Sequence, residues 1–99
     1  MKRDEFTFLE QLVSGDFAED LIIEKELGRE ARVINIDNSR GTTALDITTN
    51  LDAVGKKQTV LQVFPNSYGT IPFQEKEYAV KKIKIETTEN HNFTIEFFA

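Results

Sequence analysis

From residue 31 onward, apolar and polar residues alternate with a period of two, and this pattern constrains the fold more than any other feature of the sequence. Successive side chains of a β-strand point to opposite faces, so the alternation predicts strands with one buried and one solvated face. Such strands are typical of antiparallel sheets. The predicted strands are residues 31–37, 43–51, 58–64, 78–87 and 92–98. Turn-forming residues at 38–41, 52–57 and 88–91 predict short hairpin connections between them.

Residues 4–14 have the spacing of an amphipathic helix instead. Asp4 can cap the start of this helix, and Gly15 can end it. Its apolar side chains fall within one arc of the helical surface, at Phe6, Phe8, Leu9, Leu12 and Val13. The following segment, residues 16–27, is compatible with one helix that Gly28 would end, or with a short helical turn over residues 16–20 and then a strand over residues 21–27. We favour the second, because a single helix would place Glu24 and Lys25 on its apolar face.

Together these patterns predict an α+β fold, in which the N-terminal amphipathic helix packs on a five- or six-stranded, mainly antiparallel β-sheet. The sheet is expected to follow the chain as a meander, with a partly closed barrel as the alternative. The chain has 99 residues, of which 39% are hydrophobic, so we expect a single domain spanning residues 1–99 around one core.

Residues 65–77 interrupt the alternation. Pro65, Pro72 and Gly69 argue against a regular strand, and the segment is longer than an ordinary connection. Long loops on rigid scaffolds often carry binding residues. We therefore expect this segment to form part of a functional surface.

The sequence offers few groups for catalysis or metal binding. It contains no cysteine, which excludes disulfides, thiolate metal sites and a cysteine nucleophile. The one histidine, His91, lies in a turn-like stretch, where a solvated side chain fits better than a general base. Polar residues from Asn35 to Asp46 resemble the spacing of a calcium-binding loop, but Arg40 stands where that loop needs glycine. We expect a turn between two strands there, and no enzyme activity, cofactor or metal.

The net charge of −5 arises in the first third of the sequence. Residues 1–30 contain nine acidic and four basic residues, whereas residues 31–99 contain eight of each. An acidic surface repels nucleic acid and anionic lipid and favours a basic partner. The sequence therefore predicts a non-enzymatic protein-interaction module, in its sharpest form a small acidic inhibitor or adaptor of the phage or mobile-element type that binds a basic surface of a partner protein. The predicted partner-binding residues are Glu10, Glu19, Asp20, Glu24, Glu26, Tyr68, Ile71 and Phe73.

Two other functions compete with this prediction. A structural subunit would self-associate through the strand from Phe93 to Phe98, which has apolar residues on both faces. A single-stranded nucleic-acid binder would use Lys82 and Lys84, although the negative net charge argues against it. No apolar stretch is long enough to span a bilayer and no signal-peptide pattern is visible, so a soluble, cytoplasmic protein is expected.

Overall fold

The computed structural model describes residues 6–13, 22–72, 74–87 and 92–99, and these residues form an all-β fold. Within them there is no α-helix, and hence no helix that could reach across a lipid bilayer. The eight strands are β1 (Phe8–Val13), β2 (Ile22–Ala31), β3 (Val33–Asn38), β4 (Leu45–Thr49), β5 (Val60–Val63), β6 (Ser67–Ile71), β7 (Val80–Glu86) and β8 (Thr94–Phe98).

The strands form two four-stranded antiparallel sheets. Sheet A has the strand order β1-β8-β3-β6, and sheet B has the order β2-β7-β4-β5. Among strands that follow each other in the chain, only β4 and β5 pair with each other. All the remaining connections lead from one sheet to the other. The first four strands pair in turn with the last four, taken in reverse order, which is the topology of a double-sheet jelly roll.

One hydrophobic core lies between the two sheets. It consists of the buried residues Leu12, Ile23, Leu27, Ala31, Ile34, Ile36, Leu45, Ile47, Val63, Ile71, Val80, Ile83, Ile85, Phe93, Ile95 and Phe97. On β8, for example, Ile95 and Phe97 are buried, while Thr94, Glu96 and Phe98 face outward. The alternation seen in the sequence therefore fixes which side of each strand meets the other sheet.

The loops at the end of β3 are held by a buried asparagine. Asn38 is fully buried, and its Nδ2 donates hydrogen bonds to the carbonyl oxygens of Thr43 and Val63, both at 3.0 Å. These bonds satisfy backbone carbonyl groups at this end of the sandwich. The turn predicted after residue 37 is therefore present, but it leads to the opposite sheet rather than into a hairpin.

The predicted N-terminal helix is wrong, because residues 8–13 form the edge strand β1. The register of β1 against β8 shifts between Phe8 and Glu10, which marks a β-bulge. The bulge allows both Leu9 and Leu12 to pack on the core, although they are three residues apart. That spacing resembles one face of a helix, and so it led to the helix prediction. The helical turn predicted at residues 16–20 lies outside the described residues.

The predicted meander and its alternative, a partly closed barrel, are also wrong. The five strands predicted from the alternation are present, with ends shifted by two residues at most. The strand predicted over residues 21–27 is present as β2, which continues to Ala31. The strands are nevertheless distributed over two separate sheets. Alternation shows that a strand buries one face, but it does not identify the neighbour with which the strand pairs.

The segment predicted as a long loop contains strand β6. Pro65 and Pro72 lie just outside this strand, and β6 is an edge strand of sheet A, where proline is tolerated. Gly69 sits where the two sheets approach closely, since a Cβ atom at this position would lie 2.6 Å from Val63 Cγ2. The glycine therefore permits the close approach of β6 to β5 rather than breaking the strand.

Candidate functional site

The outward side chains of sheet A form three rows across its strands. The central row is Gln11, Glu96, Asn35 and Thr70. A second row is Val13, Thr94, Asp37 and Tyr68. A third row is Phe8, Phe98 and Val33. Because neighbouring strands lie about 4.8 Å apart, a row of four residues spans roughly 14 Å.

This outer face of sheet A is poor in charge and rich in aromatic surface. Its charged residues are Glu96 and Asp37, and none of its described outward strand positions holds a lysine or arginine. Tyr68 is 73% exposed and Phe8 is 52% exposed. The rings of Phe8 and Phe98 meet edge to face, with centroids 5.7 Å apart. Few charges together with aromatic side chains are the composition that distinguishes the centre of protein interfaces.

A single carboxylate occupies the middle of this face. Glu96 lies on the interior strand β8, directly between Gln11 on β1 and Asn35 on β3. Among the described residues Glu96 has no ion-pair partner. Thr70 donates a hydrogen bond from Oγ1 to Asn35 Oδ1 at 3.3 Å, which extends the polar row to the sheet edge. The arrangement suits one incoming cation, flanked by amide and hydroxyl groups.

Asp37, the other acid of this face, is held by the turn that follows β3. Its Oδ1 accepts hydrogen bonds from the hydroxyl of Ser39 at 2.6 Å and from the Ser39 backbone N–H at 2.9 Å. These two bonds lower the pKa of Asp37, with a smaller contribution from the charge of Arg40. Asp37 is therefore an anion at neutral pH whose oxygen is already engaged within the chain.

We predict that replacing Ser39 with Ala raises the pKa of Asp37 toward its ordinary value of 3.8, because the hydroxyl bond is the largest cause of the shift. The folded pKa lies below the ordinary value, so these bonds contribute stability above about pH 4 that is lost as the pH falls through the folded pKa. NMR titration of the Asp37 carboxyl carbon measures the pKa of Asp37 in the folded wild type and in the folded Ser39→Ala variant. Equal midpoints in the wild type and in Ser39→Ala would contradict this explanation.

The predicted partner-binding residues do not share one surface. Tyr68 lies on the outer face of sheet A, whereas Ile71 on the same strand is 1% exposed and packs in the core. Glu10 Oε2 lies 3.1 Å from Lys25 Nζ, so this acid is paired across the β1–β2 side of the sandwich. Three further predicted residues, Glu19, Asp20 and Phe73, lie outside the described part of the chain.

Glu24 and Glu26 lie on the outer face of sheet B, on the opposite side of the molecule from Tyr68. Because β2 pairs with β7, Glu24 stands across from Lys84 and Glu26 across from Lys82. These four side chains line a shallow groove of about 270 Å³. Two acids from the first third of the sequence therefore stand beside lysines from its last third. The same pairing sets both lysines of the nucleic-acid hypothesis beside acids, which weakens their attraction for phosphate.

Most residues on the outer face of sheet A were not predicted from the sequence as site residues. Gln11 was placed on a helix, and neither Asn35 nor Glu96 belongs to a recognisable motif. The available signal was the absence of lysine and arginine from the outward positions within residues 33–37 and 94–98. This signal gains meaning only once β1, β3 and β8 are known to be neighbours.

Metal and catalytic chemistry find little support in the described residues. They contain no group of three or more His, Cys, Asp or Glu side chains placed to hold a metal ion. His91 lies outside the described part of the chain. The absence of enzyme activity stays a prediction.

No protein-family model, curated protein or solved structure matches this chain.

Proposed function

We propose that this protein is a non-enzymatic interaction module that binds a partner protein through the outer face of sheet A. The observation that carries the proposal is the lone carboxylate of Glu96 in the middle of a charge-poor face with exposed aromatic side chains. The partner is expected to place an arginine or lysine side chain on Glu96 and apolar groups on Phe8 and Tyr68. The proposed partner is basic, as expected from the sequence, but it contacts the outer face of sheet A and not the acidic residues of the first third of the sequence.

The cost of removing water from Glu96 favours a basic partner. A partner that covered this face without supplying a cation would bury an uncompensated carboxylate, which is strongly unfavourable. A cation that meets Glu96 instead forms a charge-assisted hydrogen bond in surroundings that exclude water. The aromatic side chains on the same face provide the apolar contact that dominates interface energies.

The scaffold and the overall charge support the same proposal. Glu96 and Asn35 lie on the two interior strands of sheet A, which hold side chains more rigidly than loops do. The net charge of −5 attracts a basic partner at long range. We propose the cytoplasm as the place of action, and an inhibitor or adaptor of the phage or mobile-element type as the sharpest form of the function.

The proposal is tested by selecting binding peptides from a random library against the wild-type protein. We expect the selected peptides to contain an arginine or lysine next to an apolar residue. We also expect Glu96→Gln to weaken their binding by about tenfold or more, which is the contribution of one charge-assisted contact. Fluorescence anisotropy with labelled peptides measures the affinities.

Glu24→Gln is the matched control, because it makes the same change of charge on the outer face of sheet B. The control variant should bind the selected peptides as the wild type does. Peptides without a basic residue, or equal losses of affinity in the two variants, would contradict the proposed contact.

A further inference from the structure

The longest stretch of the sequence without a charged residue is residues 58–74, and its described residues 58–72 form one side of the sandwich. It contains strands β5 and β6, which are edge strands of sheets B and A. The two strands lie against each other, since a Cβ atom at Gly69 on β6 would be 2.6 Å from Val63 Cγ2 on β5. Two neighbouring sheet edges are therefore uncharged in a chain of which 29% is charged.

This side also exposes large apolar side chains. Val60 at the start of β5 is 72% exposed, and Phe64 directly after β5 is 61% exposed. Edge strands in soluble proteins are ordinarily protected by charged side chains. The opposite side of the sandwich follows that rule, since Glu10 of β1 and Lys25 of β2 form an ion pair there. The β5–β6 side has no such protection among its described residues.

We propose that the β5–β6 side is the contact surface between two copies of this chain. Each copy carries a net charge of −5, so two copies repel each other over most of their surfaces. In a two-fold dimer the same patch meets itself, and a patch without charges avoids the repulsion of like charges. A basic foreign partner would gain no electrostatic attraction from this neutral side. The neutrality of the patch therefore favours a second copy as its occupant.

The proposal places self-association on a different strand from the one expected from the sequence. Strand β8 lies between β1 and β3 and pairs with both, so residues 94–98 offer no free edge for strand pairing. Strands β5 and β6 each have one paired neighbour within the described chain. Their free edges and the exposed Val60 and Phe64 lie on the same side of the molecule.

Sedimentation equilibrium of the full chain at concentrations up to about 1 mM tests the proposal. We expect the wild type to form a dimer, and Val60→Lys and Phe64→Lys to weaken dimerisation by about 100-fold or more. Each substitution also lowers the magnitude of the net charge, which by itself would favour association. A weaker dimer in these variants would therefore result from the loss of the contact at Val60 or Phe64 and not from the change in net charge.

Ile22→Lys is the matched control, because Ile22 is 55% exposed on β2 at the opposite side of the sandwich. This variant should dimerise as the wild type does. Hydrogen exchange of the wild type provides a readout that needs no substitution, since the amides of β5 and β6 should become more protected as the concentration rises. A wild type that stays monomeric at about 1 mM would overturn the proposal and leave this side to a different protein. A dimer that both lysine substitutions leave intact would also overturn it.

Discussion

Replacing Asn50 with Asp is expected to lower the free energy of unfolding by about 3 kcal/mol or more. Asn50 is 1% exposed, and its Nδ2 donates to the carbonyl oxygens of Lys57 and Ala79, both at 3.0 Å. Its Oδ1 accepts from the backbone N–H of Lys81 at 2.8 Å. Aspartate would keep that acceptor but would set a negatively charged oxygen against two carbonyl oxygens, with no donor left for them.

Asn66→Asp is the control for this prediction. Both asparagines have a left-handed backbone, with φ of 57° at Asn50 and 63° at Asn66, and both Asn and Asp tolerate that conformation. Asn66 lies in an exposed turn, so its substitution tests the backbone preference without the buried hydrogen bonds. Urea unfolding of the two variants gives the difference in stability. Equal losses would show that the bonds of Asn50 do not hold the β4–β5 hairpin to β7.

Replacing Gly69 with Ala is expected to lower the free energy of unfolding by about 1–3 kcal/mol, the usual range for overpacking a core. The added methyl group would lie 2.6 Å from Val63 Cγ2 and 3.4 Å from Leu61 Cδ2. Val63 is itself buried, so β5 and β6 must move apart to accept the methyl group. The effect is specific to the place where the two sheets approach each other.

Gly28→Ala is the matched control, because a Cβ atom at Gly28 would meet nothing within 4 Å. Both glycines lie in strands, so the same loss of backbone freedom in the unfolded chain applies to the two substitutions. Val63→Ala should relieve the clash, so that the double variant with Gly69→Ala is less destabilised than the sum of the two single changes. Additive effects, or equal stability of the two glycine variants, would refute the close approach.

The parts of the fold that were predicted correctly depend on local alternation, and the parts that were wrong depend on contacts between distant segments. The strand β7 follows from the pattern of residues 78–87 alone. Strand β1 was not recognised, because the bulge after Phe8 changes its spacing. Strand β6 was not recognised, because Gly69 is required by Val63 on another strand, and this contact is invisible in the local sequence.

The same distinction holds for the candidate site. Tyr68 was predicted as a contact residue because an aromatic side chain in a proline-flanked segment is a local signal. Glu96 was not, because its neighbours Gln11 and Asn35 come from strands far away in the chain. Asn50 was placed on the solvated face of the strand predicted over residues 43–51, since nothing next to it in the sequence indicates that it is buried. Pairing between distant strands therefore determines both the surface and the buried polar contacts.

The most direct test of the proposed binding surface is to map the contact of a selected basic peptide by NMR. We expect the backbone amide signals that shift on titration to belong to the outer face of sheet A, with the largest changes around Gln11, Asn35 and Glu96. Shifts confined to the groove around Glu24 and Lys84 on sheet B would contradict the account and would place the interaction on the opposite face of the molecule.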